Sequence, residues 1–439
     1  MNILLFSLLT ACGRGHDDAD AADPAEKTEP GQTLSEARPS GAYLLDFSVA
    51  SVGGLSIPFQ ATVHSVVAED GSEVLDSFEM RATDGVDALS DVLVSAHDIP
   101  WEADGTIRLE LGAFVLPGEF SPTSGDVILN VNLDIDSSSP EGFCGEVSGM
   151  VVTFAMDLEG STFGAVDWEA RADGAPSSCA GPAEEIPRMA AEDCPALMDG
   201  TNQGFASGGL ERNFEVVLPA GYDPERAWPL ILLFHGYGGK GSNMLDSEVI
   251  AEASALGAIL IAPDAAERGG ENAWDVFNDA ETNSDLAFVD DLVTCASASW
   301  NVDPDHVHAG GMSAGGLFTG LIIEQRSHLL ASAAPFSGGL LGPMAPDFTP
   351  IPVQVLWGGD TDHAFAVDFA QTAVDMIDTL SADGSFVVAC EHDGGHSYDS
   401  SFWAFTLPFL LDHPRGLAEE PYADGLPEAY PDWCWIVEG

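Results

Sequence analysis

A few short stretches of this 439-residue chain carry side chains able to do acyl chemistry, and their order along the chain matters as much as their identity. The most telling is HVHAGGMSAGGLF, residues 306–318, where Ser313 stands at the centre of a G-x-S-x-G pentapeptide. In a chain with 47 glycines the pentapeptide alone is a weak signal, so its surroundings must decide. Val307 to Ala309 end an apolar run of strand type, and SAGGLFTGLIIEQR (313–326) has helical spacing. A serine at such a strand-to-helix turn has its hydroxyl pushed out beyond the sheet. Gly311 and Gly315 leave space where a Cβ would collide with strand or helix. Ser313 is therefore the candidate nucleophile, against the plainer reading of a tight structural turn.

A serine hydroxyl attacks only when a base takes its proton. His396, in CEHDGGHSYD (390–399), lies on a glycine-flanked loop after the last strong strand-like run, and is the candidate base; His392 and His413 compete. The base needs a carboxylate to hold its tautomer. VLWGGDTDHAF (355–365) offers two: Asp362, clear of the strand end and preferred, and Asp360 as the alternative acid. The remaining need is a pair of donors for an oxyanion. HGYGG (235–239), directly after the buried-type run LILLF, lets the backbone approach a substrate carbonyl, so the N–H groups of Tyr237 and Ala314 are the expected donors. His235, which opens that loop, reads as structural. Trp274, Phe277 and Trp357 are aromatic candidates for a pocket wall, although tryptophans at such places are usually core.

These loops need a frame. From 194 to 439 apolar strand-like runs (PLILLFHG, AILIAPDA, PVQVLWGGD, SFVVACEHD) alternate with helical ones (MLDSEVIAEASALG, DLAFVDDLVTCASASW), which predicts a mostly parallel sheet covered by helices on both faces. Ligands collect at the C-terminal ends of such strands. Residues 41–180 have a different grammar: short β-type runs at 59–67, 106–116, 126–135 and 149–158, separated by DG, GG, SSSP and EG turns. That predicts an all-β sandwich or barrel without a nucleophile, base and acid set of its own; Trp101, His64 and His97 are isolated. Residues 181–193 read as a linker.

Formal net charge is −59, from 72 acidic residues against 13 basic ones, with Lys27 and Lys240 the only lysines. Such a surface repels phosphates, which excludes nucleic acid as a natural partner; it reads instead as adaptation to a salty medium. Residues 1–12, MNILLFSLLTAC, resemble a bacterial lipoprotein signal with Cys12 as the lipidated residue, and are too short to span a bilayer as a permanent helix. Residues 13–40 are acidic and read as a disordered tether. An exported protein anchored to the cell envelope through this lipid follows. The other cysteines, Cys144, Cys179, Cys194, Cys295, Cys390 and Cys434, are even in number and lack zinc-site spacing, so disulfides are expected. The preferred pairs are Cys144 with Cys179, Cys295 with Cys390, and Cys194 with Cys434.

RNFEVVLPAGYDPERAWPLILLFHGYGG, FVDDLV, VDPDHVHAGGMSAGG, VLWGGDTD and GGHSY together resemble the α/β-hydrolase fold. Within it they resemble the esterase family that contains extracellular poly(3-hydroxybutyrate) depolymerases, feruloyl esterases and acetylxylan esterases. The resemblance covers about residues 194–434. It implies hydrolysis of a carboxylic ester, polymeric or polysaccharide-linked, through an acyl-enzyme and without a metal or organic cofactor. WGGDTD replaces the family's G-T-x-D turn, which keeps Asp360 open beside Asp362. The N-terminal half lies outside the resemblance. The competing reading is a catalytically inactive surface lipoprotein for adhesion or polymer binding. The sequence leaves the oligomeric state open.

Overall fold

Alternation of buried and outward-facing side chains shapes the strands in the first half of the chain. In Val127–Asp136 the side chains of Val127, Leu129, Val131, Leu133 and Ile135 are buried while those between them face out. The computed structural model describes residues 33–34 and 38–437, apart from 51–54, 87, 122–124, 138–141, 155, 174–177, 180–185, 269, 278–281, 343 and 366. The leader 1–12 with Cys12, and residues 13–32 of the expected tether, lie outside the described residues.

The N-terminal strands are β1 (Gly41–Val49), β2 (Leu55–Val67), β3 (Glu73–Ala82), β4 (Val94–Pro100), β5 (Thr106–Leu116), β6 (Val127–Asp136), β7 (Gly142–Val151) and β8 (Ser161–Asp167). They pair antiparallel in the order β4-β3-β2-β1-β8-β7-β6-β5, and the two edge strands β4 and β5 lie alongside each other. One sheet curls almost onto itself, so the domain is a nearly closed barrel rather than a sandwich. Its interior is packed by Phe47, Phe59, Phe163, Leu109 and Leu133. The run at 149–158 is not one strand: β7 ends at Val151, a tight turn at Val152–Phe154 follows, and Met156–Asp157 folds back to pair with β7. Cys144 on β7 is bonded to Cys179, as expected.

The second half forms a 9-stranded sheet from β9 (Gly200–Ser207), β10 (Leu210–Val217), β11 (Trp228–Phe234), β12 (Ile259–Pro263), β13 (Val302–Met312), β14 (Ser332–Phe336), β15 (Val353–Trp357), β16 (Val387–Glu391) and β17 (Cys434–Ile436). The order is β9-β10-β12-β11-β13-β14-β15-β16-β17. From β12 to β16 all pairs are parallel, and the flanking pairs are antiparallel. The central strands are apolar throughout because helices cover both faces. Helices α2 (Ser284–Ser299), α3 (Ala314–Arg326) and α4 (Phe369–Ala382) pack on one face. Helices α1 (Ser247–Leu256) and α5 (Trp403–Asp412) pack on the other. Caps set the boundaries: Asp246 and Asn283 side chains accept the first free N–H groups of α1 and α2, and Gly257 ends α1 in the left-handed conformation.

Two disulfides differ from expectation. Cys194 is bonded to Cys295, and Cys390 to Cys434. Cys295, on α2, is buried on one face of the sheet and Cys390 on the other, so the sheet itself separates the expected pair. Cys434 sits directly opposite Cys390 in the β16–β17 ladder.

Candidate active site

Parallel strands bring their C-terminal loops to one edge, and the chemistry-bearing residues come from the loops after β11, β13, β15 and β16. Ser313 connects β13 to α3 with φ 59° and ψ −121°, a conformation that costs a non-glycine residue about 1–3 kcal/mol and persists only where its surroundings enforce it. Here they do. The Ser313 N–H donates to the carbonyl of Phe336 at 2.9 Å, and its own carbonyl accepts from the Leu317 N–H at 2.9 Å. A Cβ added at Gly315 would lie 2.2 Å from the Phe234 carbonyl oxygen, and one at Gly311 would lie 2.5 Å from the Gly315 carbonyl oxygen. The glycines thus allow β11, β13 and α3 to close on the turn.

The Ser313 hydroxyl donates to His396 Nε2 at 2.9 Å, and His396 Nδ1–H donates to Asp362 Oδ1 at 2.7 Å. This tautomer follows from the network, since the carboxylate can only accept. Phe369, at the start of α4, stacks on the imidazole at 4.5 Å. Asp362 is fully buried, and its second oxygen accepts from the Gly358 N–H at 2.7 Å and from the Ser337 hydroxyl at 2.8 Å. Burial alone would raise its pKa; the hydrogen bonds from His396, Gly358 and Ser337, with the charge of His396, outweigh that and hold the carboxyl below its ordinary range. Asp360, two residues away, is exposed.

The other histidines are engaged elsewhere. His235 is fully buried: its Nδ1–H donates to the Gly236 carbonyl at 2.7 Å, and its Nε2 accepts from the Ala265 N–H at 3.0 Å. Burial lowers its pKa and keeps it neutral. The Trp274 indole N–H donates to the His235 carbonyl at 2.8 Å, so this residue pins the HGYGG loop to the neighbouring strand ends. His392 packs on Phe402 and Trp433, and His413 is buried against Phe409 and Glu420. The loop from His235 reaches the serine: a Cβ on Gly236 would lie 3.5 Å from the Ser313 Cβ. Tyr237 and Ala314 line one cavity with Ser313, and neither backbone N–H has a partner among the described residues.

Sequence reasoning missed Ser337, Gly358 and Phe369. Ser337 has φ 42° and opens an SGG run immediately after β14; a serine-glycine run just past an apolar strand was the available signal. Of the aromatic candidates, Trp274 and Phe277 line the cavity beside Ser313, whereas Trp357 is core and packs on Trp435. The Trp274 loop is anchored by Asp285 at the start of α2, which pairs with Arg212 and Arg268 and accepts from the Asp275 N–H at 2.8 Å.

With this geometry in place, residues 206–406 match the Esterase family model. That stretch is similar to the esterases. The chain is 29% identical over 231 residues to feruloyl esterase C of Emericella nidulans, covering 46% of this chain and 80% of that protein. It is 31% identical over 93 residues to an acetylxylan esterase of Coprinopsis cinerea, covering 20% of this chain and 25% of that protein. It is 23% identical over 195 residues to the oxidized polyvinyl alcohol hydrolase of a Sphingopyxis species, covering 34% of this chain and 54% of that protein. The first curated relatives are spanned over 43%, 25% and 54% of their length. A solved native structure designated pOPH shares 20% identity, with 55% of this chain and 96% of that one covered and a TM-score of 0.47.

Proposed function

We propose that this protein is a serine carboxylic-ester hydrolase in which Ser313 is the nucleophile, His396 the base and Asp362 the acid that orients it. The observation that carries the proposal is the continuous chain from the Ser313 hydroxyl through His396 to Asp362. In the first half-reaction the Ser313 oxygen attacks the ester carbonyl carbon as its proton passes to His396 Nε2. The oxyanion that forms is held by the backbone N–H groups of Tyr237 and Ala314, the latter strengthened by the start of α3. Collapse expels the alcohol, which takes the proton from His396, and leaves an acyl-serine. Water then attacks the acyl carbon, again giving its proton to His396, and the serine is released with the carboxylic acid. Asp362, kept ionised, stabilises the imidazolium in both halves. Asp360 is left without a part in this scheme.

The match to the Esterase family model and the feruloyl and acetylxylan esterases among the relatives support carboxylic esters as the substrate class. Disulfides support an exported protein; a lipid on Cys12 would hold it at the envelope. The test is labelling with a fluorophosphonate together with hydrolysis of p-nitrophenyl butyrate. The native protein is expected to label on Ser313 and to turn over, and Ser313→Ala to lose both while melting as the native protein does. Full activity in that variant would refute the assignment, and no label on the native protein would favour the adhesion or polymer-binding alternative.

A further inference from the structure

The N-terminal barrel meets the esterase domain at the serine. A cavity of about 190 Å³ lies between them, and Ser313, Ala314, Leu317, Trp274 and Phe277 form its esterase side. Its other side is Val49, Ile57, Leu116, Val127, Leu129 and Val151. These residues stand at one end of the barrel: the last of β1, β5 and β7, and the first few of β2 and β6. Antiparallel strands put those positions together, so the mouth of the barrel opens onto the nucleophile. In a chain of net charge −59 the described residues that line the cavity include no charged side chain. At its rim Phe365 is 65% exposed, holds φ 49°, and faces Tyr237 at 5.6 Å. An exposed aromatic in the left-handed region is a strained arrangement of the kind found at ligand clamps.

We infer that the barrel mouth is one wall of the acyl-binding site and selects esters of uncharged, extended aliphatic acids. This rests on the ester-hydrolase reading. The acyl side is assigned by the proton path. The alcohol must leave beside His396 Nε2, and the cavity is lined by Ser313, Ala314 and Tyr237 but not by His396. The part of the substrate left on the serine is therefore the part that enters the barrel mouth. An acetyl group is too short to gain much from such a lining, whatever alcohol carries it. An aliphatic acyl chain gains about fourfold in kcat/KM, or about 0.8 kcal/mol, for each methylene it buries.

The experiment is a chain-length series, p-nitrophenyl acetate, butyrate, hexanoate and octanoate, measured as kcat/KM on the full chain. The native protein is expected to prefer hexanoate over acetate by roughly two-hundredfold if each of the four added methylenes is buried. Val127→Phe narrows the mouth and should move the optimum to shorter acids; Leu129→Ala widens it and should move the optimum to longer ones. The opposite signs separate a change of wall from simple destabilisation, which would act alike in both. Ile128→Ala lies on the outer face of the same strand, where Ile128 is 42% exposed, and should keep the native profile. A flat native profile, or both mouth variants keeping the native profile, overturns the proposal. If Ser313 labels with fluorophosphonate while the profile is flat, only the barrel wall fails. If Ser313 does not label and no ester is cleaved, the ester-hydrolase reading fails with it.

Discussion

Replacing Asp362 by asparagine leaves the shape of the site and changes one hydrogen-bonding choice. The carboxylate now accepts from three donors, with Gly358 N–H and Ser337 O–H on Oδ2 and His396 Nδ1–H on Oδ1. An asparagine has one accepting oxygen, and the two donors at the Oδ2 position claim it. The amide NH₂ then faces His396 Nδ1, which must accept, so the imidazole carries its proton on Nε2 and points it at Ser313. The base is in the wrong tautomer. Restoring the working one means turning the amide against Gly358 and Ser337 and leaving two donors unpaired, at about 1–3 kcal/mol each. That removes roughly 10² to 10⁴ from kcat at 1.36 kcal/mol per tenfold, and loss of the imidazolium's counter-charge adds to it. Steady-state hydrolysis of p-nitrophenyl butyrate should therefore show Asp362→Asn down by about a thousandfold or more in kcat, with Asp360→Asn within about twofold of native. Stability should respond on the acid side. A carboxyl held below its ordinary pKa stabilises the fold above the ordinary carboxylate range and ceases to do so as pH falls through the lowered value. Asp362→Asn should thus melt with less acid sensitivity than the native protein. Retention of more than about a tenth of native kcat in Asp362→Asn, or an equal loss in Asp360→Asn, would falsify the assignment of the acid.

Two further expectations test the frame around the site. Gly315→Ala forces a Cβ to within 2.2 Å of the Phe234 carbonyl oxygen, so the turn must shift; displacement of the nucleophile by about 1 Å costs on the order of 10²-fold, and a kcat within about threefold of native would show that the close approach is dispensable. Glu324, on α3, is buried, accepts from the Leu341 and Gly342 N–H groups at 2.8 and 2.9 Å, and has its other oxygen unpaired among the described residues. Burial pushes its carboxyl up to about 8 against those two N–H groups, which favour the ion. The native state thus holds a proton the unfolded chain has lost, and stability falls as pH rises from about 4.5 to about 8, by up to about 1.4 kcal/mol per unit. Glu324→Gln keeps an acceptor for both N–H groups and should flatten that slope in chemical denaturation, with the gain over native largest at pH 8; parallel slopes in the two proteins would contradict the buried acid.

What could be read from the residues follows what is local. Ser313, Asp362 and His396 each lie on a loop that directly follows an apolar strand, so strand recognition placed them at one edge of the sheet, and the glycines around the serine named its turn. The strands of the N-terminal half were legible by alternation, but barrel or sandwich was not, because closure depends on how near β4 comes to β5 and no window of sequence contains both. The same blindness explains the disulfides: the preferred pairing of Cys295 with Cys390 put both in one domain without seeing that a sheet lies between them. It explains the cavity too, since Val49, Leu116 and Val127 carry the same inward pattern as the rest of the barrel core, and only their shared position at its mouth sets them apart. The choice between Asp360 and Asp362 belongs here as well. Two identical carboxylates separated by one residue differ in which donors reach them. Those donors come from the end of β14, through Ser337, and the end of β15, through Gly358, with His396 supplied by the loop after β16. The carboxylate that pairs with His396 is thus selected by the convergence of three separate strand ends upon one side chain, and that convergence exists only once the parallel sheet has aligned them.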